Sequence, residues 1–376
     1  MKRSALFSIV ILIAFGFTAP QQARVTVMNA LSMKRTNETV EIAVSDLAIV
    51  LKSDDYANFV VYNEAGKEIP SQLIFMGKKS PVKLIFQATI EGKSKAAYAI
   101  RIGKPSAYQQ KTYGRLVPER FDDYAWENDR IAFRIYATAL IAKDGPSNGI
   151  DVWVKRTNKL VIDKWIKYYN DGVSSYHNDN GEGCDCFKVG RTLGAGAMAP
   201  FVNDSLWLGS NFESYQTLDN GPVRTSFRLV YPSFEVNGKM VTETRTFSLD
   251  AGSQLSAVTE EYSGYDSSMV VAAGIVERKE GSITAKSAEK GYMTYRLDIG
   301  KDGITYLGVV STTPVIKIVE KADHLVLATN YNVGDKLLYY TGAGWNKWGF
   351  ETDEKWNQYV KDFSAKIHNP LIVEIR

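Results

Sequence analysis

From Glu38 to Ile102 the chain alternates apolar and polar positions in short runs: Glu38–Val44, Asn58–Tyr62, Ser71–Met76, Val82–Ile90 and Ala97–Ile102. Turn-forming clusters at Asn63–Gly66, Gly77–Ser80 and Glu91–Ser94 separate them. A period of two, rich in β-branched and aromatic residues and broken at regular intervals, predicts a small β-sandwich. Pro105–Pro118 is polar, carries Gln109, Gln110 and Lys111, and loses the alternation, so it is read as a connector. Beyond Phe121 the runs lengthen to Arg130–Ala137, Gly149–Arg156, Thr225–Tyr231, Val241–Leu249, Leu255–Tyr262 and Val270–Val276. Long amphipathic strands over such a span predict a large two-sheet sandwich. Helical periodicity is convincing only over Asp353–Ile367. The expected fold is all-β: a small N-terminal sandwich over residues 24–105, a linker over 106–117 and a larger sandwich over 118–376.

The first 23 residues stand apart. Lys2 and Arg3 precede an apolar stretch from Ala5 to Phe17, with Ala19 and Ala23 as cleavage options. This is the pattern of a secretory signal, and the stretch is shorter than the ~20 residues of a membrane span. No cysteine follows it, which argues against a lipid anchor and for a periplasmic or extracellular protein, soluble after signal removal. Losing Lys2 and Arg3 takes the formal charge from +3 to +1. Such a balance lacks the basic excess of a nucleic-acid binder. The two cysteines, Cys184 and Cys186, are one residue apart and are expected to be structural thiols or a local bridge, which would be strained.

Three segments concentrate chemistry. Phe121–Arg134 interleaves Asp122, Asp123, Glu127, Asp129 and Arg130 with Tyr124 and Trp126. Carboxylates bind hydroxyls or move protons, rings stack on pyranose faces, and arginine grips a carboxylate with two parallel bonds. Strand alternation would put Trp126, Asn128 and Arg130 on one face. Tyr168–Arg191 is rich in glycine and acid and contains Tyr176, His177, Asp179, Glu182 and Asp185. Histidine in a loop on a rigid sandwich is a natural general base. Asp179, Glu182 and Asp185 are a weak alternative for calcium, without EF-hand spacing; otherwise no cofactor is expected. Thr341–Phe350 places Trp345, Lys347 and Trp348 among glycines, as suits a sugar-stacking loop. Trp126, Trp345, Trp348 and His177 are expected to border one groove. His324, His368, Trp153, Trp165 and Trp207 read as structural. Signatures of serine hydrolases, P-loop enzymes, dinucleotide-binding enzymes and zincins are missing.

Two passages resemble known folds. The run "EAGKEIPSQLIFMGKKSPVKLIFQA" resembles the small β-domain that precedes the supersandwich in several carbohydrate-active proteins. The passage from Gly221 to Tyr262 resembles hairpins of the galactose-mutarotase-like β-supersandwich. Over nearly its whole length the chain is similar to an uncharacterised family of secreted Bacteroidota proteins, on "FDDYAWENDRIAFRIY", "YHNDNGEGCDCFKVGRTLGAG" and "GAGWNKWG". Relatives in that family are associated with pectin and uronate-polysaccharide utilisation, which implies the substrate class. The leading expectation is a β-eliminating lyase: Arg130 with Asn128 neutralises the uronate carboxylate, His177 is the base, and Tyr176 or Tyr124 is the acid. Three alternatives stay open: a hydrolase using Asp123 and Glu182, a mutarotase-like epimerase using His177 and a Glu on a free sugar, and a noncatalytic carbohydrate-binding protein.

Overall fold

The computed structural model describes residues 22–376. The leader expected over residues 1–23 lies outside them except for its last two positions, which open the strand Gln22–Asn29 with Ala23 buried. The fold is all-β as expected: a small sandwich is followed by a larger multi-sheet supersandwich.

The small sandwich pairs a five-stranded sheet with a three-stranded one (Arg35–Ala43, Lys83–Ile90, Ser71–Ile74). Alternation does the work. Val25 and Val27 from one sheet meet Val40, Ile42, Leu84 and Phe86 from the other in one core. Two elements differ from the expectation. Val44–Leu51 is a helix that puts Val44, Leu47 and Leu51 against that core; its β-branched run reads locally as the end of a strand. The C-terminal strand Ile372–Ile375, counted by sequence with the larger unit, instead pairs antiparallel with Gln22–Asn29. The last residues of the chain therefore complete the first sheet.

The stretch read as a connector is only half irregular. Ser106 and Tyr108 bond to Glu68 of the small sandwich. Thr112–Val117 is already a strand, antiparallel to Asp123–Asn128, with Thr112 and Val117 buried. It edges a five-stranded sheet that continues through Ile131–Ile135, Asp151–Lys155 and Gly183–Cys184. An eight-stranded sheet and another of five strands make up the rest, and a single apolar core joins all three.

The helix Asp353–His368 lies where its periodicity predicts. Thr352 caps it through its hydroxyl, Asp353 and Glu354 occupy its first turn, and Trp356, Val360 and Ser364 face inward. A Cβ on Gly344 would come within 2.7 Å of the Trp356 ring, so glycine there lets the helix lie flat on the sheet.

Candidate active site

The candidate site forms at one end of the sheet that begins with Thr112–Val117, where three strands each contribute one charged residue. Arg134, on Ile131–Ile135, stands directly opposite Asp151 in the antiparallel ladder. Asp123 opens the neighbouring strand, and Asp185 follows the short strand Gly183–Cys184. The guanidinium Nη2 lies 2.7 Å from Asp151 and 3.2 Å from Asp185, and Nε lies 3.9 Å from Asp123. Its plane also sits 5.4 Å over the Trp153 ring and 5.3 Å over that of Tyr136.

One arginine cannot neutralise three buried carboxylates. Burial pushes Asp123 up to about 7 and Asp185 up to about 8; Asp151 also rises, by burial first, although Arg134 opposes it. Near neutral pH the cluster therefore retains protons. The Nε and Nη1 of Arg134, the indole nitrogen of Trp153 and the phenol of Tyr176 are all buried without a hydrogen-bond partner. Such unsatisfied polar atoms cost stability, and here they lie beside the half-exposed His177.

A helix and a loop close this end. Glu127 accepts hydrogen bonds from the backbone of Val161 and Ile162 and binds the buried Lys155 at 2.7 Å. It thus anchors the start of the helix Ile162–Asn170, whose Trp165 and Tyr169 face the loop. In the loop, Asp179 accepts from the N–H groups of Gly181 and Gly183 and pairs with Arg156. Gly183 has φ 126°, and a Cβ there would sit 2.0 Å from the carbonyl oxygen of Val154, so only glycine fits. Tyr176 stacks on Trp153 with centroids 5.0 Å apart. Its carbonyl accepts from Asp185 N. Burial first raises its phenol to about 12, so it stays protonated.

His177 is the open member of the group, its side chain 46% exposed. Nδ1 lies 3.2 Å from the carbonyl oxygen of Asp185 and 3.3 Å from its carboxylate. A carbonyl can only accept, so Nδ1 carries the proton and the Nε2 lone pair is left free. Partial burial, reinforced by Arg134 and Arg120, lowers the imidazole below its usual value and keeps it neutral.

Beside it, Arg120 stacks over Tyr176 at 5.3 Å and Tyr169 at 5.5 Å. It makes no ion pair among the described residues, and its Nε is buried without a partner. The next two residues, Phe121 and Asp122, both adopt left-handed backbone (φ 55° and 60°), a conformation that disfavours a bulky side chain. The strain holds Phe121 out, 42% exposed, with Lys143 over its ring. Next to Tyr176, a hollow of about 300 Å³ is lined by Lys164, Trp165, Tyr168, Asn178, Asn180 and Glu182.

Several expected site residues lie elsewhere. Trp126 is fully buried between Phe133, Phe227 and Phe247, with its indole donating to Ser256. Tyr124 stacks on Phe227 and bonds Thr217. Asn128 is buried and ties down the turn that follows it and the carbonyls of Asp250 and Ser253. Trp345 is 2% exposed and donates to the carbonyl of Asp302. None of these four can meet a sugar, and the groove expected between Trp126, Trp345, Trp348 and His177 is not formed. Arg130 instead lies over the half-buried Trp348, beside a groove of about 890 Å³ between the two sandwiches. Lys347 bonds the carbonyl of Lys301, and Lys301 reaches Asn178, which is how the tryptophan loop touches the site loop. Glu182 is held low by Lys164 and Trp165, apart from Asp123. Asp179, Glu182 and Asp185 each engage a different cation, and no group of three or more metal-ligating side chains is assembled among the described residues.

The segments around Phe121–Arg134 and Tyr176–Asp185 do meet. The residues that join them, Arg134 and Asp151, and the rim residues Arg120, Phe121 and Tyr169 escaped the sequence reading. A charged residue inside an apolar strand, as in Ile131–Ile135 and Asp151–Lys155, was the available signal.

A β-supersandwich with a polar pocket at one sheet end is the class this architecture defines. The chain belongs to the DUF4861 family, described as a domain of unknown function, whose model matches residues 27–373. It is 31% identical to uncharacterized protein P7 of Formosa agariphila over 373 residues, covering 94% of this chain and 93% of that one. Among solved structures it is similar to a protein in glycosyl hydrolase family 38 from Enterococcus faecalis (TM-score 0.53, 11% identity, 95% of this chain and 47% of that chain). It is also similar to an alpha-mannosidase from Enterococcus faecalis V583 (TM-score 0.51, 10% identity, 95% and 46%). The chain spans about half the length of these two structures, and at such identities the likeness is one of fold.

Proposed function

We propose that the protein is an exported carbohydrate-active enzyme that cleaves a uronate-containing glycan by β-elimination at the site formed by Arg120, Tyr176 and His177. The observation that carries this reading is Arg120. It is a stacked, half-buried guanidinium that makes no ion pair among the described residues, set beside a neutral imidazole. Elimination requires a cation on the carboxylate, a base for the C5 proton and a proton for the leaving oxygen. Arg120 grips the uronate carboxylate and makes the C5 proton acidic. The Nε2 of His177 removes that proton, the electron pair forms the C4–C5 double bond, and the C4–O bond breaks. The leaving oxygen takes its proton from solvent, because Tyr176 is 3% exposed and its phenol oxygen is sealed; its ring instead seats the Arg120 guanidinium by stacking. Protonated Asp123 and Asp185 keep the pocket from repelling an anionic sugar. The fold shared with the mannosidase supports the broader carbohydrate-active reading, and the exposed Phe121, Tyr168 and Tyr169 are suited to stack on pyranose faces.

One observation favours a second reading. Asp123 and Asp185 hold protons near neutral pH, as the general acid of a glycoside hydrolase must. Product analysis on pectin-type and other uronate polysaccharides separates the two. The proposal expects new ends that absorb in the ultraviolet as unsaturated uronates. Reducing ends without that absorbance would establish hydrolysis, and binding without either product would leave a carbohydrate-binding protein.

A further inference from the structure

The chain's two cysteines flank a residue of the site. Cys184 ends the short strand Gly183–Cys184 and Asp185 and Cys186 continue the chain beyond it, with the outer two side chains meeting on one side and the middle one on the other. Both thiols lean on the large apolar core with their sulfurs 2.8 Å apart, while Asp185 points the opposite way, to Arg134. We propose that Cys184 and Cys186 close a disulfide, and that this cross-link fixes the backbone of Asp185. Asp185 holds the site twice, through its carboxylate on Arg134 and through the carbonyl on which His177 Nδ1 rests.

The chemistry is exchange with a disulfide oxidant of the glutathione type. One cysteine thiolate attacks a sulfur of the oxidant and forms a mixed disulfide, releasing one thiol. The second cysteine thiolate attacks the protein sulfur of that mixed disulfide and releases the other thiol. Two electrons and two protons pass from the cysteines to the oxidant. A ring across one intervening residue removes little freedom from the unfolded chain, so its effect is local rather than a general staple. Cys184 is fully buried, and the contact between the two thiols, together with burial, drives the Cys186 thiol strongly upward. Exchange in the folded protein is therefore slow, and the bridge closes as the chain folds.

The test refolds the reduced full chain in oxidised and reduced glutathione, then alkylates it under denaturing conditions without reductant. The expected product is a monomer that takes up no alkyl group and weighs about 2 Da less than the reduced chain. Two alkyl groups, a retained glutathione or a disulfide-linked dimer would each overturn the proposal. The effect on the site is read from the His177 titration by NMR. Its midpoint should differ between the bridged protein and the Cys184→Ser/Cys186→Ser variant, and identical midpoints would remove the link to Asp185. Mass and titration are independent of the reaction assigned to the site, so failure here and failure of the elimination reading are distinguishable.

Discussion

The larger sandwich buries two arginines among carboxylates, and they differ in the bonding of the guanidinium and in access to solvent. Arg245 is wholly enclosed between the sheets. It is paired at 2.6 Å with Glu243 and at 3.0 Å with Glu260, it donates to the carbonyls of Asn148 and Met198, and it lies 4.6 Å over Tyr231. Every nitrogen of its guanidinium has a partner, and no opening leads to it. Arg134 has Nε and Nη1 unbonded, retains 8% of its side-chain exposure, and adjoins the half-exposed His177. Burial raises the carboxylates in both clusters. The Arg245 cluster also holds unpartnered buried atoms, on Tyr231, Tyr339, Glu243 and Glu260. Neither perturbed carboxylates nor unsatisfied polar atoms therefore mark a functional site by themselves; a route to solvent must join them.

The largest expected effect falls on the sealed cluster. Arg245→Ala leaves Glu243 and Glu260 facing each other without a cation, and chemical denaturation should show a loss of about 3–5 kcal/mol. A variant that unfolds at the wild-type midpoint would mean that the two glutamates already share a proton without need of the arginine.

The open cluster should show itself in pH dependence. The native Asp123 carboxyl titrates near 7, whereas in the unfolded chain it titrates near its ordinary ~3.9. Between those values the native state holds a proton that the unfolded state does not. The stabilising contribution is thus complete below about 4 and is lost as pH rises through about 7. Thermal melts across this window should show wild-type stability declining relative to Asp123→Asn. A constant difference between the two would refute the raised titration.

The contrast also explains what the sequence disclosed. Where one face of a strand packs and the other is partly open, as in Ser94–Ile102 or Lys239–Asp250, alternation gave the strands correctly. It failed at Asp123–Asn128, where all six residues are buried. Apolar residues of the main core cover one face of that strand, and the layer with Trp153, Val161 and Trp165 covers the other. Alternation there separates two buried faces rather than core from solvent, so placing Trp126 and Asn128 with Arg130 on a wet face was an error of context. Trp345 misled for a related reason. Glycines beside an aromatic suggest an exposed loop, but here Gly342 and Gly344 admit close neighbours around a buried ring. His177 was legible because acids and glycines crowd the same short segment. Arg134 and Asp151 were not, because only cross-strand pairing makes them neighbours.

The most direct measurement compares the rate of unsaturated-product formation by wild type and by His177→Ala on one verified uronate polysaccharide. The side chain is half exposed, so the variant should melt within a degree or two of wild type. The account predicts a loss of roughly 10²-fold or more in rate, the size expected on removing a proton-transfer group. Undiminished product formation by a correctly folded His177→Ala would contradict the assignment of this site.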